Sequence, residues 1–173
     1  RLRRHRQPPG SRTRHPAVYT YEEAEALVPP LAGVHTKNLF VRDAKGRRHF
    51  LVVVGSQARV DLQALARTLG VSKLGMASPE RLLKHLGVTP GAVTLLGIVN
   101  ADAGAVEVVV DQSVWHSAEP LHCHPLVNTA TLAIGIDGLQ RLFEHCRQDW
   151  SVLDVPCRQA DGGPPTSDPT SPL

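Results

Sequence analysis

Apolar positions along the chain change period several times, and each change marks an element. Asn38–Arg42 and His49–Val54 are β-branched or apolar runs separated by Asp43-Ala-Lys-Gly46, a turn composition, and together they predict a hairpin. Over Asp61–Leu69 the apolar residues fall at Leu62, Leu65, Ala66 and Leu69, a helical period, with Gly70 as the stop. Ser78-Pro79-Glu80 opens a second helix with Ser78 as N-cap, Leu82, Leu83 and Leu86 inward, and Gly87 at its end. Val93–Val99 and Val106–Val110 read as buried strands joined by a turn over Asn100–Gly104, and Gly97 in the first marks a close backbone approach. Thr129–Ile134 reads as a further strand. Asp137–Cys146 reads as a helix with Leu139, Leu142 and Phe143 on one face, and Val152–Val155 as a closing strand. Upstream, Thr20 with Glu22 and Glu23 starts a short helix to Leu27, halted by Pro29-Pro30. Hairpins and helices mix without regular βαβ alternation, which predicts an α/β (mixed α+β) domain and argues against a doubly wound fold.

Charge divides the chain. The net charge of +3 describes its start, because six of the 19 basic residues are arginines within residues 1–15, where no acid stands. The remaining 13 basic residues face 16 acidic ones. Residues 1–15 therefore read as a basic, disordered extension, and 157–173, rich in Pro, Gly, Ser and Thr, as a second disordered tail. The folded body is expected over 16–156. With 42% hydrophobic residues and 173 in all, it is long enough for a sizeable core. No apolar run reaches the ~18 residues of a membrane span, and the basic start lacks the apolar region of a secretory signal. Three scattered cysteines make no disulfide framework, so a reducing, cytoplasmic setting is expected. Aromatic residues at 4% make a base-stacking platform a poor bet.

Chemistry concentrates at two places. Lys37, flanked by Thr36 and Asn38, stands at the entry to a strand, where a charged donor beside neutral donors and acceptors suits a phosphate or an ester carbonyl. The alternative is a solvated loop lysine. Leu121-His-Cys-His-Pro-Leu-Val-Asn-Thr129 is the densest polar stretch. It admits a zinc site, a Cys123 nucleophile, a polar pocket built by His124 and Asn128, or a plain turn fixed by Pro125. Zinc lacks a second ligand pair, and Cys123 points away from its neighbouring histidines in an extended chain. No GxxxxGK[ST], GxGxxG, GxSxG or HExxH string occurs, so neither a nucleotide cofactor nor a serine or zinc hydrolase is indicated. Trp115 and Trp150 are far apart in sequence and read as packing residues rather than a stacking pair. His85 reads as a helix-end residue placed by the dipole.

Several strings taken together resemble the YbaK/ProX family of aminoacyl-tRNA editing domains: His15-Pro-Ala-Val-Tyr-Thr-Tyr-Glu-Glu-Ala24, His35-Thr-Lys-Asn-Leu-Phe40, Asp61-Leu-Gln-Ala-Leu-Ala66, Ala77-Ser-Pro-Glu80, Leu86-Gly-Val-Thr-Pro-Gly-Ala-Val-Thr94 and His124-Pro-Leu-Val-Asn-Thr-Ala-Thr131. Their order spans nearly the whole body. The resemblance implies a single domain with a mixed, partly barrel-like sheet and flanking helices. It implies hydrolysis, in trans and without a cofactor or metal, of the ester in mischarged tRNA for proline, alanine first among the amino acids removed. Partners implied are the acceptor end of that tRNA and prolyl-tRNA synthetase, with no membrane. It assigns Lys37 and His124 to catalysis and Asn38, Asn128, Thr129 and Thr36 to substrate binding. A non-catalytic module binding aminoacyl-tRNA or a synthetase is the alternative, and a general RNA binder working through the basic start is a third. The chain departs from the family at its start, where Arg1–Arg14 replaces a helix. It departs again at Cys146-Arg-Gln-Asp-Trp150, where the exit of the last helix is altered, and at Met76, which replaces an aromatic core residue.

Overall fold

A computed structural model describes residues 12–14, 33–126 and 130–158. Eight strands form one mixed sheet: β1 (Arg12–Arg14), β2 (Val34–Asp43), β3 (His49–Gly55), β4 (Leu74–Met76), β5 (Glu107–Asp111), β6 (Leu121–Cys123), β7 (Ala130–Ile134) and β8 (Trp150–Leu153). Its order is β1-β7-β6-β2-β3-β5-β8, with β4 paired to β2 beside that path. The helices are α1 (Leu62–Thr68), α2 (Pro79–Leu86), α3 (Gln112–Trp115) and α4 (Ile136–Cys146), and Leu95–Asn100 is a 3₁₀ helix. The mixed α/β architecture is the expected one. The helix expected over Thr20–Leu27 lies outside the described residues. The backbone of Arg12–Arg14, within the expected basic extension, pairs antiparallel with β7.

The predicted hairpin forms with Arg42 opposite His49. Its turn is closed by Asp43, whose Oδ1 accepts from the Arg47 and Arg48 amides at 2.7 and 3.1 Å, while Gly46 takes the left-handed conformation at φ 64°. Strand β3 is buried from His49 to Val54, because both sheet faces are covered. On one face Phe40, Leu51, Val53, Val108 and Val110 pack with Leu82 and Leu86 of α2, the 3₁₀ helix, and Leu139 and Phe143 of α4. On the other, Val41, Phe50, Val52, Val54 and Val109 pack with Leu65 and Ala66 of α1.

Helix ends follow the capping residues. Asp61 Oδ1 accepts from the Gln63 and Ala64 amides, Ser78 Oγ accepts from the Arg81 amide, and Gly87 stops α2 at φ 64°. The strand expected over Val93–Val99 is not one. Thr94 caps the Leu96 amide with its own Oγ1 and starts the 3₁₀ turn. A short, fully apolar run has no period to separate the two conformations. The close approach expected at Gly97 holds, since a Cβ there would lie 3.1 Å from Leu86 Cβ.

Three packing expectations need correction. Trp115 and Trp150 do stack, with centroids 4.8 Å apart, against Phe143. Met76 is 58% exposed and belongs to no core. His85 lies over His49 with ring centroids 4.2 Å apart, and burial holds its pKa below the ordinary value, opposite to the effect of a helix C-terminus. The departure after α4 is closed by Gln148. Its buried amide donates to the Ala101, Asp102 and Cys146 carbonyls at 3.3, 3.0 and 3.2 Å.

Candidate functional site

Strand β2 organises the site because its two edges differ. Toward β3 it is paired without a break from Thr36 to Arg42. Toward the other side it pairs in parallel with β6 at Val34 and His35, and antiparallel with β4 from Val41 to Asp43. Between these, the sheet forks. Among the described residues, the Lys37–Leu39 edge has no strand partner, so groups on either face of β2 can border one opening there.

Lys37 stands at this fork, opposite Val54 of β3. Its ammonium donates to the Ala58 carbonyl at 2.5 Å. Among the described residues the only ion pair is Arg48–Glu107, so no carboxylate neutralises Lys37. The charge is positioned by a neutral dipole and keeps two further donors. Ala58 lines a hollow of about 550 Å³ that also takes in Gly55, Asp111, Ser113, Asp154 and Cys157. It sits where the parallel strands β3, β5 and β8 end, the side of a mixed sheet on which crossover loops build binding sites. Asp111 shapes its floor: Oδ1 accepts from the Ser113 amide and hydroxyl, and Oδ2 from the Val155 amide at 2.9 Å. Lys37 is close enough to this hollow to act electrostatically on the Cys157 thiol, whose pKa is nonetheless raised, chiefly by burial.

His124 follows the end of β6. It lies two residues beyond the His35–His122 pair, as Lys37 does on β2, so parallel register carries both toward the fork. Its Nδ1 is 3.2 Å from the Ala130 carbonyl, and its own carbonyl accepts from Thr94 Oγ1 at 2.7 Å. Lys37 and His124 are thus anchored by separate carbonyls. Alternation along β2 puts Thr36 and Asn38 on the Phe40 face and Lys37 on the Val41 face. Thr36 Oγ1 donates to the His122 carbonyl at 3.4 Å. Asn38 Oδ1 is the one buried side-chain polar atom among the described residues without a hydrogen-bond partner. A buried acceptor left open costs about 1–3 kcal/mol, and this one sits on the forked segment. Asn128 and Thr129 lie outside the described residues.

Cys123 does not fit a nucleophile. It is buried in the sheet core, and burial pushes its thiol up to about 12. Among the described residues, no three His, Cys, Asp or Glu side chains are grouped to hold a metal ion, and no helix is long and apolar enough to cross a membrane. Sequence reading missed the hollow at the β3, β5 and β8 ends. Its residues come from three separated segments, and only Asp111, acidic at the end of a Val run, gives a local signal.

Residues 15–142 match the family model described as aminoacyl-tRNA editing domain. The chain is 39% identical over 141 residues to the prolyl-tRNA editing protein ProX of Acetoanaerobium sticklandii, covering 82% of this chain and 85% of that one. It is 40% identical over 140 residues to prolyl-tRNA synthetase associated domain-containing protein 1 of Danio rerio, covering 80% and 76%. A solved structure described as a candidate trans-editing enzyme for prolyl tRNA synthetase superposes with a TM-score of 0.64 at 22% identity, over 84% of this chain and 85% of that one. That likeness bears on the fold alone.

Proposed function

This chain belongs to the aminoacyl-tRNA editing domain family, and from that premise we propose that it clears tRNA for proline of wrongly attached small amino acids, alanine first. Membership makes it a hydrolase of the aminoacyl-tRNA ester bond. Its similarity to a prolyl-tRNA editing protein supports action in trans on the errors of prolyl-tRNA synthetase. A synthetase pocket shaped for proline gains only about 1–3 kcal/mol of discrimination from missing methylenes. A second site that admits only small side chains removes what slips through.

One observation carries the assignment of Lys37: an ammonium with no acidic partner among the described residues, fixed by the Ala58 carbonyl at the fork. There it anchors the terminal phosphate or the ester carbonyl of the acceptor end. An aminoacyl ester is already activated, so a positioned water attacks the carbonyl with no covalent intermediate, assisted by the ribose hydroxyl beside the ester. His124 borders the amino-acid pocket and orients that water. Asn38, through its open Oδ1, accepts from the α-ammonium of the bound amino acid, with Thr36, Asn128 and Thr129 completing the lining.

The test is a deacylation time course on tRNA for proline charged in turn with alanine, serine, cysteine and proline, for wild type and Lys37→Ala. The expected result is rapid loss of alanine, sparing of proline, and a fall of about a hundredfold or more in the variant. If wild type binds these tRNAs and hydrolyses none, the binding-module alternative replaces this reading.

A further inference from the structure

At the far end of β2 from Lys37 lies a second hollow, of about 320 Å³, bordered by Arg42, Ala44, Lys45, Gly46, Met76, Ser78 and Arg81. Three of its side chains are cationic and none is acidic. Both guanidiniums are held in place by neutral acceptors. Arg42 Nη1 donates to the Asp43 and Ala44 carbonyls at 3.0 and 3.2 Å. Arg81 Nη1 donates to the Gly46 carbonyl at 3.1 Å and to His49 Nε2 at 2.7 Å. Arg81 also lies so close over Gly46 that a Cβ there would fall 2.6 Å from Nη2. The nearby acids are turned elsewhere: Asp43 into its own turn amides, Glu80 toward Ser78, and Glu107 onto Arg48. Planar guanidiniums fixed without a carboxylate, beside a lysine, suit a phosphodiester.

We propose that this hollow grips the sugar–phosphate backbone of the tRNA acceptor strand, with Arg42, Lys45 and Arg81 as the phosphate ligands. The proposal rests on the deacylase reading for the choice of tRNA as the RNA. Five residues of extended chain separate Lys37 from Arg42, about 17 Å. Alternation puts Arg42 on the Phe40 face and Lys37 on the Val41 face, so with the ester at Lys37 the RNA passes over the open edge of β2 and the hollow meets its backbone several nucleotides back. Such contacts fix register and orientation on the RNA and carry no sequence information. The pocket is thus the general grip, and the fork the place of chemistry.

The experiment measures binding of uncharged tRNA for proline against salt concentration, for the full chain and for Arg42→Gln/Lys45→Gln. Arg67→Gln/Arg141→Gln, which removes two exposed cations outside the hollow, controls for net charge. The expected result is about a tenfold loss of affinity at low salt in the pocket variant. The slope of log affinity against log salt should shrink by about 1.5–2, against little change in the control. Thermal unfolding of each variant shows that it is folded, and the N-terminal arginines, present in every protein, cancel in the comparison. An unchanged affinity and slope in the pocket variant overturns the proposal, as does an equal loss in the control. So does a pocket that binds inorganic phosphate, seen as a thermal shift lost in the variant, while RNA affinity stays intact. Because the readout is binding of uncharged tRNA, it remains decisive when the deacylation assay fails.

Discussion

Acid should weaken this fold well above the carboxylate range, and His49 is the reason. Arg81 Nη1 lies 2.7 Å from His49 Nε2, and a guanidinium can only donate, so Nε2 is the acceptor and the ring is neutral. Burial lowers its pKa first, then the His85 ring and the Arg81 charge, with Lys84 adding slightly and Asp43 opposing; the result is about 4, against 6.5. The unfolded chain therefore takes up a proton that the folded one refuses. This contribution to stability is whole above about pH 6.5 and is lost as pH falls toward 4. The gap caps the loss at about 3 kcal/mol, with about 2 kcal/mol of it spent between about pH 7 and pH 5. His85, also held below its ordinary pKa, adds in the same direction. The carboxyls of Asp43, Asp61 and Glu80 are held low by their hydrogen bonds and enter only at more acidic pH. The assay is urea unfolding at a series of pH values for wild type and His49→Gln, whose amide oxygen can accept from Arg81 and does not titrate. Wild type should lose about 1 M in midpoint over that window, and the variant should lose much less. A flat wild-type midpoint, or an equal fall in the variant, refutes the reasoning.

Other outcomes follow from the same hydrogen-bond arithmetic. Gln148→Leu removes three carbonyl partners and the acceptor of the buried Val106 amide, so thermal unfolding should show a loss of about 3 kcal/mol. Thr94→Val keeps the shape but frees the Leu96 amide and the His124 carbonyl; unfolding should register about 1–3 kcal/mol, and deacylation should slow because His124 loses the anchor on its carbonyl while keeping that on its ring. Among the native thiols, disulfide-exchange labelling followed by peptide mapping should find exposed Cys157 first and Cys123 only after denaturation.

What the sequence made legible was whatever is decided within a few residues. The hairpin was legible because Asp43 and Gly46 can each satisfy the turn locally. The starts of α1 and α2 were legible because Asp61 and Ser78 cap amides two or three residues on. The 3₁₀ helix was misread because its apolar run carries no period, and Thr94 competes with a strand through a single hydrogen bond. Strands β4 and β6 are three residues each; β4 exists through pairing with β2, more than 30 residues away, and β6 through pairing with β7 on one side and with β2, 87 residues away at the paired positions, on the other. Three residues are too few to carry a period that would announce either. The same holds for the site. Lys37 was readable as a charge at a strand entry, but β2 begins already at Val34 and Lys37 is its fourth residue, and its tie to Ala58 depends on where the β3–α1 connection returns. The basic hollow joins the hairpin turn to the start of α2 and had no signal beyond scattered cations.

The fork in β2 is where these threads meet. A continuous sheet would bury the Lys37–Leu39 edge in hydrogen bonds and separate the two faces of the strand. With β6 ending at Cys123 and β4 reaching only as far as Met76, opposite Val41, a gap is left. Lys37 can reach this gap from one face, and Asn38, with its open acceptor, from the other. A reaction that needs no covalent nucleophile is suited to such a place. The ester supplies its own activation, and the protein has only to hold a carbonyl, an ammonium and a water in register. The thiol of Cys123, buried in the sheet core and pushed up to about 12, accords with that economy. Precision then falls to the residues that anchor the site's edges, Ala58 for Lys37 and Thr94 for His124. The Ala58 carbonyl and the Thr94 hydroxyl both belong to connecting segments, so shifts in these connections should alter the rate more than the fold.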